Sequence, residues 1–229
     1  MIDIHSHILP NLDDGSESLE QSLKLIDLAV KDGVTDLFLT PHLRDYYETR
    51  KDKILSAFND FKREIGNRNI PINLYLGQEV QTVEKYKRLF DKNLVIPMND
   101  TEFLLIEFYF RRQIDMVDIV NELGEIGYKC IVAHFERYAT STLEQALEIK
   151  SAGGFIQVNA SSILGSNGFR CKRLAKKLFE RGLVDFVASD SHYNRKYRMK
   201  KAFERVKKKF GDDVADAVFN QNAKILIKG

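Results

Sequence analysis

The sequence predicts an α/β protein in which seven strands and their helices form a distorted (β/α)7 barrel. Short, almost continuously apolar segments alternate with amphipathic helical segments along the chain, as expected for strands buried on both faces. Five of the helical segments end at a glycine and are followed by a strand, which indicates repeated βα units and a parallel sheet. The length of 229 residues suits one domain, 1–229, and no linker-like stretch divides it.

The individual elements follow from periodicity and from helix-end signals. Helix 18–32 carries a stripe of Leu19, Leu23, Ile26 and Val30, and Ser18 with Gln21 forms a capping box at its start. The segment 159–169 is rich in Ser, Asn and Gly and is expected to be the longest flexible loop. The predicted strands are 1–5, 35–40, 72–78, 103–108, 129–134, 154–159 and 184–190; the predicted helices are 18–32, 50–65, 114–126, 142–152, 170–181, 196–209 and 212–220.

Composition excludes several classes of protein. Hydrophobic residues at 44% and charged residues at 30% are ordinary for a soluble globular domain. The net charge of +2 gives no reason to expect a nucleic-acid partner, and the Lys-rich stretch 200–209 is interpreted as the solvated face of a helix. No apolar run reaches the roughly 18 residues that a membrane span needs, and no secretion signal is recognised. Cys130 and Cys171 lie outside any motif, so a reducing, cytoplasmic location is expected.

The first fifteen residues carry the strongest chemical signal. His5 and His7 are two residues apart on a predicted strand, so both imidazoles point to the same face. Asp13 and Asp14 follow on a loop that ends at Gly15, and either carboxylate can add an oxygen ligand. Two imidazoles and a carboxylate at a strand end predict a divalent-metal site.

The remaining histidines and three acidic residues strengthen this prediction. All five histidines of the chain lie at the carboxyl ends of predicted strands, where (β/α) barrels place their working residues. Glu107 ends an otherwise apolar run, where an unpaired carboxylate would be costly. Nine nitrogen and oxygen ligands suit two or three ions and favour Mn, Fe or Zn over Ca. The predicted ligands are His5, His7, Asp14, His42, Glu79, Glu107, His134, Asp190 and His192.

Such a site predicts hydrolysis of a phosphate ester. Paired ions would lower the pKa of a bridging water, orient it, and stabilise the attacking and leaving oxygens. Arg44, Arg137 and Arg195 follow ligand-bearing strands and are candidates for binding phosphate through a bidentate guanidinium. A thiolate nucleophile at Cys130 is disfavoured, because its segment is an apolar strand that lacks the glycines of a phosphate-binding loop.

Several motifs, taken together, resemble the polymerase-and-histidinol-phosphatase (PHP) superfamily. They are Met-Ile-Asp-Ile-His-Ser-His at 1–7, Asp-Asp-Gly at 13–15, Thr-Pro-His at 40–42, Gly-Gln-Glu at 77–79, Leu-Ile-Glu-Phe at 105–108, Ala-His-Phe-Glu-Arg-Tyr at 133–138, Gln-Val-Asn-Ala-Ser-Ser at 157–162 and Ala-Ser-Asp-Ser-His at 188–192. The closer resemblance, over residues 1–225, is to the bacterial manganese-dependent protein-tyrosine phosphatases of capsule and exopolysaccharide operons.

The resemblance implies a PHP/TIM-like barrel with a trinuclear Mn²⁺ centre. In the implied ligand sets, His5, His7, Glu79 and Asp190 hold one ion; Glu107 and His134 hold a second, with Glu79 bridging; Asp14, His42 and His192 hold the third. Arg137 would bind phosphate, and Arg195 matches a second family arginine only if one residue is deleted after His192. The implied substrate is phosphotyrosine in the tail of a cytoplasmic tyrosine kinase that regulates polysaccharide export.

Three other interpretations stay open. A small-molecule phosphoesterase, such as a histidinol-phosphate phosphatase, can use the same scaffold, and the sequence of loop 43–50 leaves the substrate undecided. A polymerase-associated exonuclease is disfavoured by the balanced charge and by the lack of basic patches interleaved with aromatic residues. A two-metal amidohydrolase is disfavoured because the fourth strand offers Glu107 instead of a bridging lysine.

Overall fold

A computed structural model describes residues 1–44, 51–82, 86–110 and 114–227. Within these ranges, short parallel strands alternate with α-helices along the chain. The strands are β1 (Ile2–Asp3), β2 (Asp36–Leu39), β3 (His42–Leu43), β4 (Asn73–Leu76), β5 (Glu79–Gln81), β6 (Phe103–Glu107), β7 (Lys129–Val132), β8 (Phe155–Asn159) and β9 (Phe186–Ala188). The helices are α1 (Leu19–Lys31), α2 (Lys51–Asn67), α3 (Lys87–Asp91), α4 (Met116–Glu125), α5 (Leu143–Ser151), α6 (Ala160–Leu164), α7 (Gly168–Glu180), α8 (Met199–Phe210) and α9 (Asp212–Asp216).

The strands pair in two parallel sheets, with orders β1–β2–β4 and β3–β5–β6–β7–β8–β9. The predicted strands 35–40 and 72–78 form β2 and β4, and after a short break each is continued by a shorter strand, β3 and β5, that lies beyond the predicted bounds. The pairing continues across both breaks, because Gly77 N–H donates to Leu39 O at 3.0 Å and Glu79 N–H donates to Pro41 O at 3.2 Å. All seven predicted strands are therefore confirmed, and each break lies just before a predicted ligand.

The first and last strands lie side by side through a few backbone contacts. Asp190 N–H donates to His5 O and His7 N–H donates to Ser191 O, both at 2.9 Å. Ser6 and Ser191 form an isolated parallel bridge, and in the described part of the chain no longer ladder joins these strands. The predicted α/β architecture of parallel strands alternating with helices is confirmed, and the strand pairing is irregular at this seam.

Two apolar cores lie on the two faces of the strands. Phe103 and Leu105 on β6, with Phe186 on β9, pack into a small inner core that the strands surround. Leu104 and Ile106 point the other way, into the large core between the strands and the helices. The inner face turns polar towards the carboxyl ends of the strands: Glu107 follows Phe103 and Leu105 at the same two-residue spacing. This change makes a polar cup above an apolar floor.

One expectation about the helices is confirmed in part and another is wrong. In the predicted stripe of α1, Ile26 is buried and Leu23 and Val30 pack against the core, whereas Leu19 at the start of the helix is 42% exposed. The loop 159–169 is not irregular throughout, since its residues 160–164 form α6, which buries Ile163. Among the described residues, none of the helices combines the length and the apolar character that crossing a bilayer requires.

Candidate metal centre

The nine predicted ligands lie together in the polar cup. All except Asp14 are buried, although an unpaired charge is costly in such surroundings. Their ligand atoms form four groups in which all members lie within 4.8 Å of one another: His7, Asp14, His42 and His192; His5, His7 and Asp190; His5, Glu79 and His134; His42, Glu79 and Glu107. The groups share His5, His7, His42 and Glu79, so they form one continuous cluster. Their composition differs from the partition implied by the resemblance, since Glu107 and His134 fall in separate groups.

Strand register explains how distant parts of the chain meet. His42 at the start of β3 is paired with Glu79 at the start of β5, and Gln81 is paired with Glu107 at the end of β6. His134 and Asp190 follow the ends of β7 and β9 in left-handed backbone conformations, with φ of 33° and 49°. Such conformations are uncommon for residues other than glycine and are often found at functional sites.

The hydrogen bonds of His5 and His7 leave two nitrogen lone pairs facing each other. His5 Nδ1 lies 3.0 Å from Gln157 Oε1, and this oxygen also accepts the backbone N–H of His134 at 2.9 Å. His5 Nδ1 must therefore donate. His7 Nδ1 likewise donates to Asp13 Oδ2 at 2.7 Å.

With both Nδ1 atoms donating, each ring presents an Nε2 lone pair once its Nε2 has lost its proton, and the two Nε2 atoms are 3.1 Å apart. Two acceptors at this distance repel each other unless a cation or a proton lies between them. Ligands about 2.1 Å from one ion and at right angles to each other would be about 3 Å apart. The donor set therefore fits a divalent cation bound by both histidines.

The two aspartates of the Asp-Asp-Gly motif occupy different positions. Asp13 is a supporting residue, because its carboxylate accepts hydrogen bonds from the His7 ring, from His42 N–H at 3.0 Å and from Gly15 N–H at 3.0 Å. Asp14 Oδ1 lies 3.2 Å from His42 Nε2 and 3.5 Å from His192 Nε2, among the ligand atoms. A Cβ at Gly15 would lie only 2.0 Å from His7 O, so only glycine allows the loop to approach His7 this closely.

Charges within the cup shift the pKa values strongly. Burial opposes ionisation of Glu79, but the charges of His5 and His42 outweigh it and hold the pKa of Glu79 well below its usual range. Burial and the Glu79 charge raise the pKa of Glu107 to about 7. Burial lowers the pKa of His134 to about 4, which leaves a neutral imidazole near neutral pH. A carboxylate core with a neutral imidazole is suited to bind cations.

The three predicted arginines all reach the edge of the cluster. Arg137 Nη1 donates to Asp190 Oδ2 at 2.7 Å, and its Cζ lies over the Phe110 ring, 4.7 Å from the ring centroid. Arg195 Nη1 donates to the same oxygen at 3.1 Å, and its side chain is 47% exposed. Arg44 lies deeper, with Nη2 2.6 Å from His42 Nε2, so it contacts the ligands themselves. The rest of the loop that follows Arg44, residues 45–50, lies outside the described residues.

Sequence reasoning missed the polar residues that hold the ligands. Gln157 Nε2 donates to Asn159 Oδ1 at 2.8 Å, and Asn159 Nδ2 donates to Asp190 Oδ2 at 2.8 Å. Gln157 thereby connects His5, His134 and Asp190. Asp3 is fully buried and accepts hydrogen bonds from His5 N–H and Ser189 N–H, which joins the first and last strands. The sequence signal for these supporting residues was Gln157 and Asn159, two polar side chains on the same face of the otherwise apolar strand 154–159.

The sequence matches a family of known proteins over almost its whole length. The model of the family described as "Capsular polysaccharide synthesis, CpsB/CapC" matches residues 1–228. The chain belongs to the CpsB/CapC family.

Proteins similar to this CpsB/CapC member include named phosphatases. The tyrosine-protein phosphatase CpsB of Streptococcus agalactiae serotype III is 34% identical over 242 residues, covering 100% of this chain and 98% of that protein. A similar solved structure is described as one of the crystal structures of YwqE from Bacillus subtilis and CpsB from Streptococcus pneumoniae, metal-dependent tyrosine phosphatases. It superposes with a TM-score of 0.86 at 28% sequence identity, covering 94% of this chain and 90% of that chain. The histidinol phosphate phosphatase of Lactococcus lactis has a TM-score of 0.61 at 12% identity, covering 95% and 94%, which shows a shared fold.

Proposed function

We propose that this protein is a metal-dependent phosphotyrosine-protein phosphatase, a phosphoric monoester hydrolase. The observation that carries the proposal is a polar cup in which nine imidazole and carboxylate side chains, all buried except Asp14, lie together with Arg137 and Arg195 at the edge. The tyrosine-phosphatase names of the similar proteins support the same activity.

The residues proposed to hold the ions are His5, His7, Asp14, His42, Glu79, Glu107, His134, Asp190 and His192. Imidazole and carboxylate ligands without a thiolate suit Mn²⁺, with Fe or Zn as alternatives, and the size of the cluster allows up to three ions. Divalent ions bound there would supply Lewis acidity, which lowers the pKa of water and neutralises charge on phosphate oxygens.

The protein's own contribution is to hold the ligands and to position phosphate. Arg137 donates one hydrogen bond to Asp190, and its guanidinium lies over the Phe110 ring. Its remaining N–H groups can therefore donate to phosphate oxygens. Arg195 is the more exposed arginine and is proposed to assist at the entrance, while Arg44 is proposed to add positive charge close to His42.

The proposed partner is a phosphotyrosine-bearing protein, specifically a bacterial tyrosine kinase that acts in polysaccharide export. The description of the family in terms of capsular polysaccharide synthesis supports this partner. The two cysteines, Cys130 and Cys171, are both free, which supports a location in the reducing cytoplasm.

The test is phosphate release from a phosphotyrosyl peptide by protein that has been stripped with EDTA and reloaded with Mn²⁺. His5→Ala should lose bound metal and activity together. Arg137→Ala should keep its metal, measured by elemental analysis, and lose about 10²–10³-fold in kcat, because it removes a guanidinium that binds the reacting group.

Histidinol phosphate, assayed at matched Mn²⁺, separates the proposal from its alternative. Faster turnover of histidinol phosphate than of the peptide would favour a small-molecule phosphoesterase. Complete inactivity of the Mn²⁺-loaded protein on the peptide would refute the proposed function.

A further inference from the structure

A strongly basic groove lies between α7 and α8, away from the nine ligands. These two helices contain eleven Lys or Arg and two Glu, in a chain whose net charge is only +2. The groove has a volume of about 370 Å³, and both helices contribute cations to its walls: Lys172, Arg173 and Lys176 from α7, Arg205 and Lys209 from α8. The sequence alone suggested a solvated helix face, but the structure shows a concave surface.

The floor of the groove is apolar. Phe179 and Phe210 stack with ring centroids 5.0 Å apart and an interplanar angle of 14°, and Ala175 lies beside them. Phe179 is only 7% exposed, whereas Phe169 at the start of α7 is 78% exposed at the edge of the groove. Large exposed aromatic side chains beside a recess are typical of binding surfaces.

Cations outnumber acidic groups along the walls of the groove. Glu180 is the one acidic residue of α7, and its Oε1 lies 3.1 Å from Lys176 Nζ. Burial, together with the charges of Lys176, Arg205 and Lys172, lowers the pKa of Lys209, while Glu180 opposes the shift. Like charges crowded along both walls would be stabilised by an anionic partner.

We propose that this groove binds an acidic polypeptide segment that carries an apolar side chain, and that it docks the phosphoprotein substrate outside the metal centre. A polypeptide lying between α7 and α8 reaches cations on both walls and can insert an apolar side chain onto the Phe179–Phe210 floor. A flat bilayer surface would contact the rim but would not reach this recessed floor. The docking role rests on the proposed phosphatase function, whereas the binding of acidic peptide does not.

The first test measures binding without turnover. The probe is a fluorescein-labelled heptapeptide with three Glu on each side of a Phe, followed by fluorescence anisotropy at low and high NaCl concentration. The wild type should bind with an affinity that falls as salt rises, and Lys172→Glu/Lys209→Glu should bind at least about tenfold more weakly. The matched control, Lys31→Glu/Lys53→Glu, makes the same charge change on exposed sites of α1 and α2 and should stay within about twofold of wild type.

The second test measures selectivity during turnover. The wild type should have a higher kcat/KM for a phosphotyrosyl peptide with Glu flanks than for one with Ser flanks, and the groove variant should lose this preference. Hydrolysis of p-nitrophenyl phosphate should be unchanged in the groove variant, because no residue of the metal centre is altered.

Wild-type peptide affinity in the groove variant would overturn the proposal. The proposal would also be overturned if phosphatidylserine vesicles or a single-stranded oligonucleotide, and not the acidic peptide, bound in a way that the variant abolishes. If no phosphotyrosyl peptide is hydrolysed at all, the proposed function fails, while the anisotropy measurement still decides whether the groove binds acidic peptide.

Discussion

Replacing Gln157 with leucine should weaken metal binding although Gln157 touches no ion in the proposed centre. Its side chain is fully buried and makes three hydrogen bonds, to the His5 ring, to His134 N–H and to Asn159. Leucine has a similar volume but no polar atoms, so all three partners would lose a hydrogen bond in a buried environment. His5 would also lose the acceptor that fixes its proton on Nδ1 and leaves Nε2 for the metal.

The expected magnitude follows from these partners. Supporting residues of metal ligands are typically worth about 10–100-fold in metal affinity, which corresponds to about 1.4–2.7 kcal/mol. Each buried polar group left without a partner costs about 1–3 kcal/mol, so the variant should also unfold at a lower urea concentration. Isothermal titration of Mn²⁺ into EDTA-treated protein measures the first effect, and urea denaturation measures the second.

Gln78→Leu is the matched control. Gln78 is also a buried glutamine, and its Oε1 accepts Ile96 N–H at 2.6 Å, so its loss should destabilise the fold. Its side chain has no hydrogen bond to a predicted ligand among the described contacts, so Mn²⁺ affinity should stay within about threefold of wild type. Wild-type Mn²⁺ affinity in Gln157→Leu, or an equal loss in both variants, would refute the assigned role of Gln157.

Three further predictions concern the metal, a cysteine and a structural arginine. Saturating Mn²⁺ at about 100 times its Kd should stabilise the fold by about 2.7 kcal/mol and raise Tm by about 5–10 °C in a thermal shift assay; an unchanged Tm would contradict a site formed by the folded state. Burial raises the pKa of Cys130 to about 12, so iodoacetamide at pH 8 should leave phosphatase activity intact, and Cys130→Ala should stay within about twofold of wild type. Arg170 donates to the carbonyl oxygens of Tyr138 and Ala139 at 2.5 and 2.8 Å, so Arg170→Ala should lower the free energy of unfolding by about 2–3 kcal/mol, measured by urea denaturation. The control is Arg63→Ala, which removes an exposed ion pair with Asp60 and should cost under about 0.5 kcal/mol.

The strands could be predicted because their signal is local. A strand buried on both faces needs apolar residues at successive positions, and a polar residue at its end then stands out, as Glu107 does after Phe103–Ile106. The breaks in the second and third strands could not be predicted in the same way. They arise where backbone pairing resumes beyond Pro41 and Gln78, which depends on the neighbouring strand and not on local sequence.

The contacts within the site could not be predicted from the sequence either. The motif at 13–15 showed two carboxylates of equal reach, and only their positions separate Asp13, which holds His7, from Asp14, which lies by His42. Gln157 and Asn159 were visible as polar residues in a strand, but their role depends on contacts with His5 and Asp190 that lie far away in the sequence.

The seam between the first and last strands has a consequence for how the protein matures. His5 leaves the ribosome nearly two hundred residues before Asp190, yet His5 Nε2 ends 3.8 Å from Asp190 Oδ1. A nascent chain that lacks β9 cannot complete the proposed centre, so an ion can be captured tightly only after the segment that carries Asp190 and His192 has been made. Translation products that stop before Asp190 would carry no hydrolytic activity.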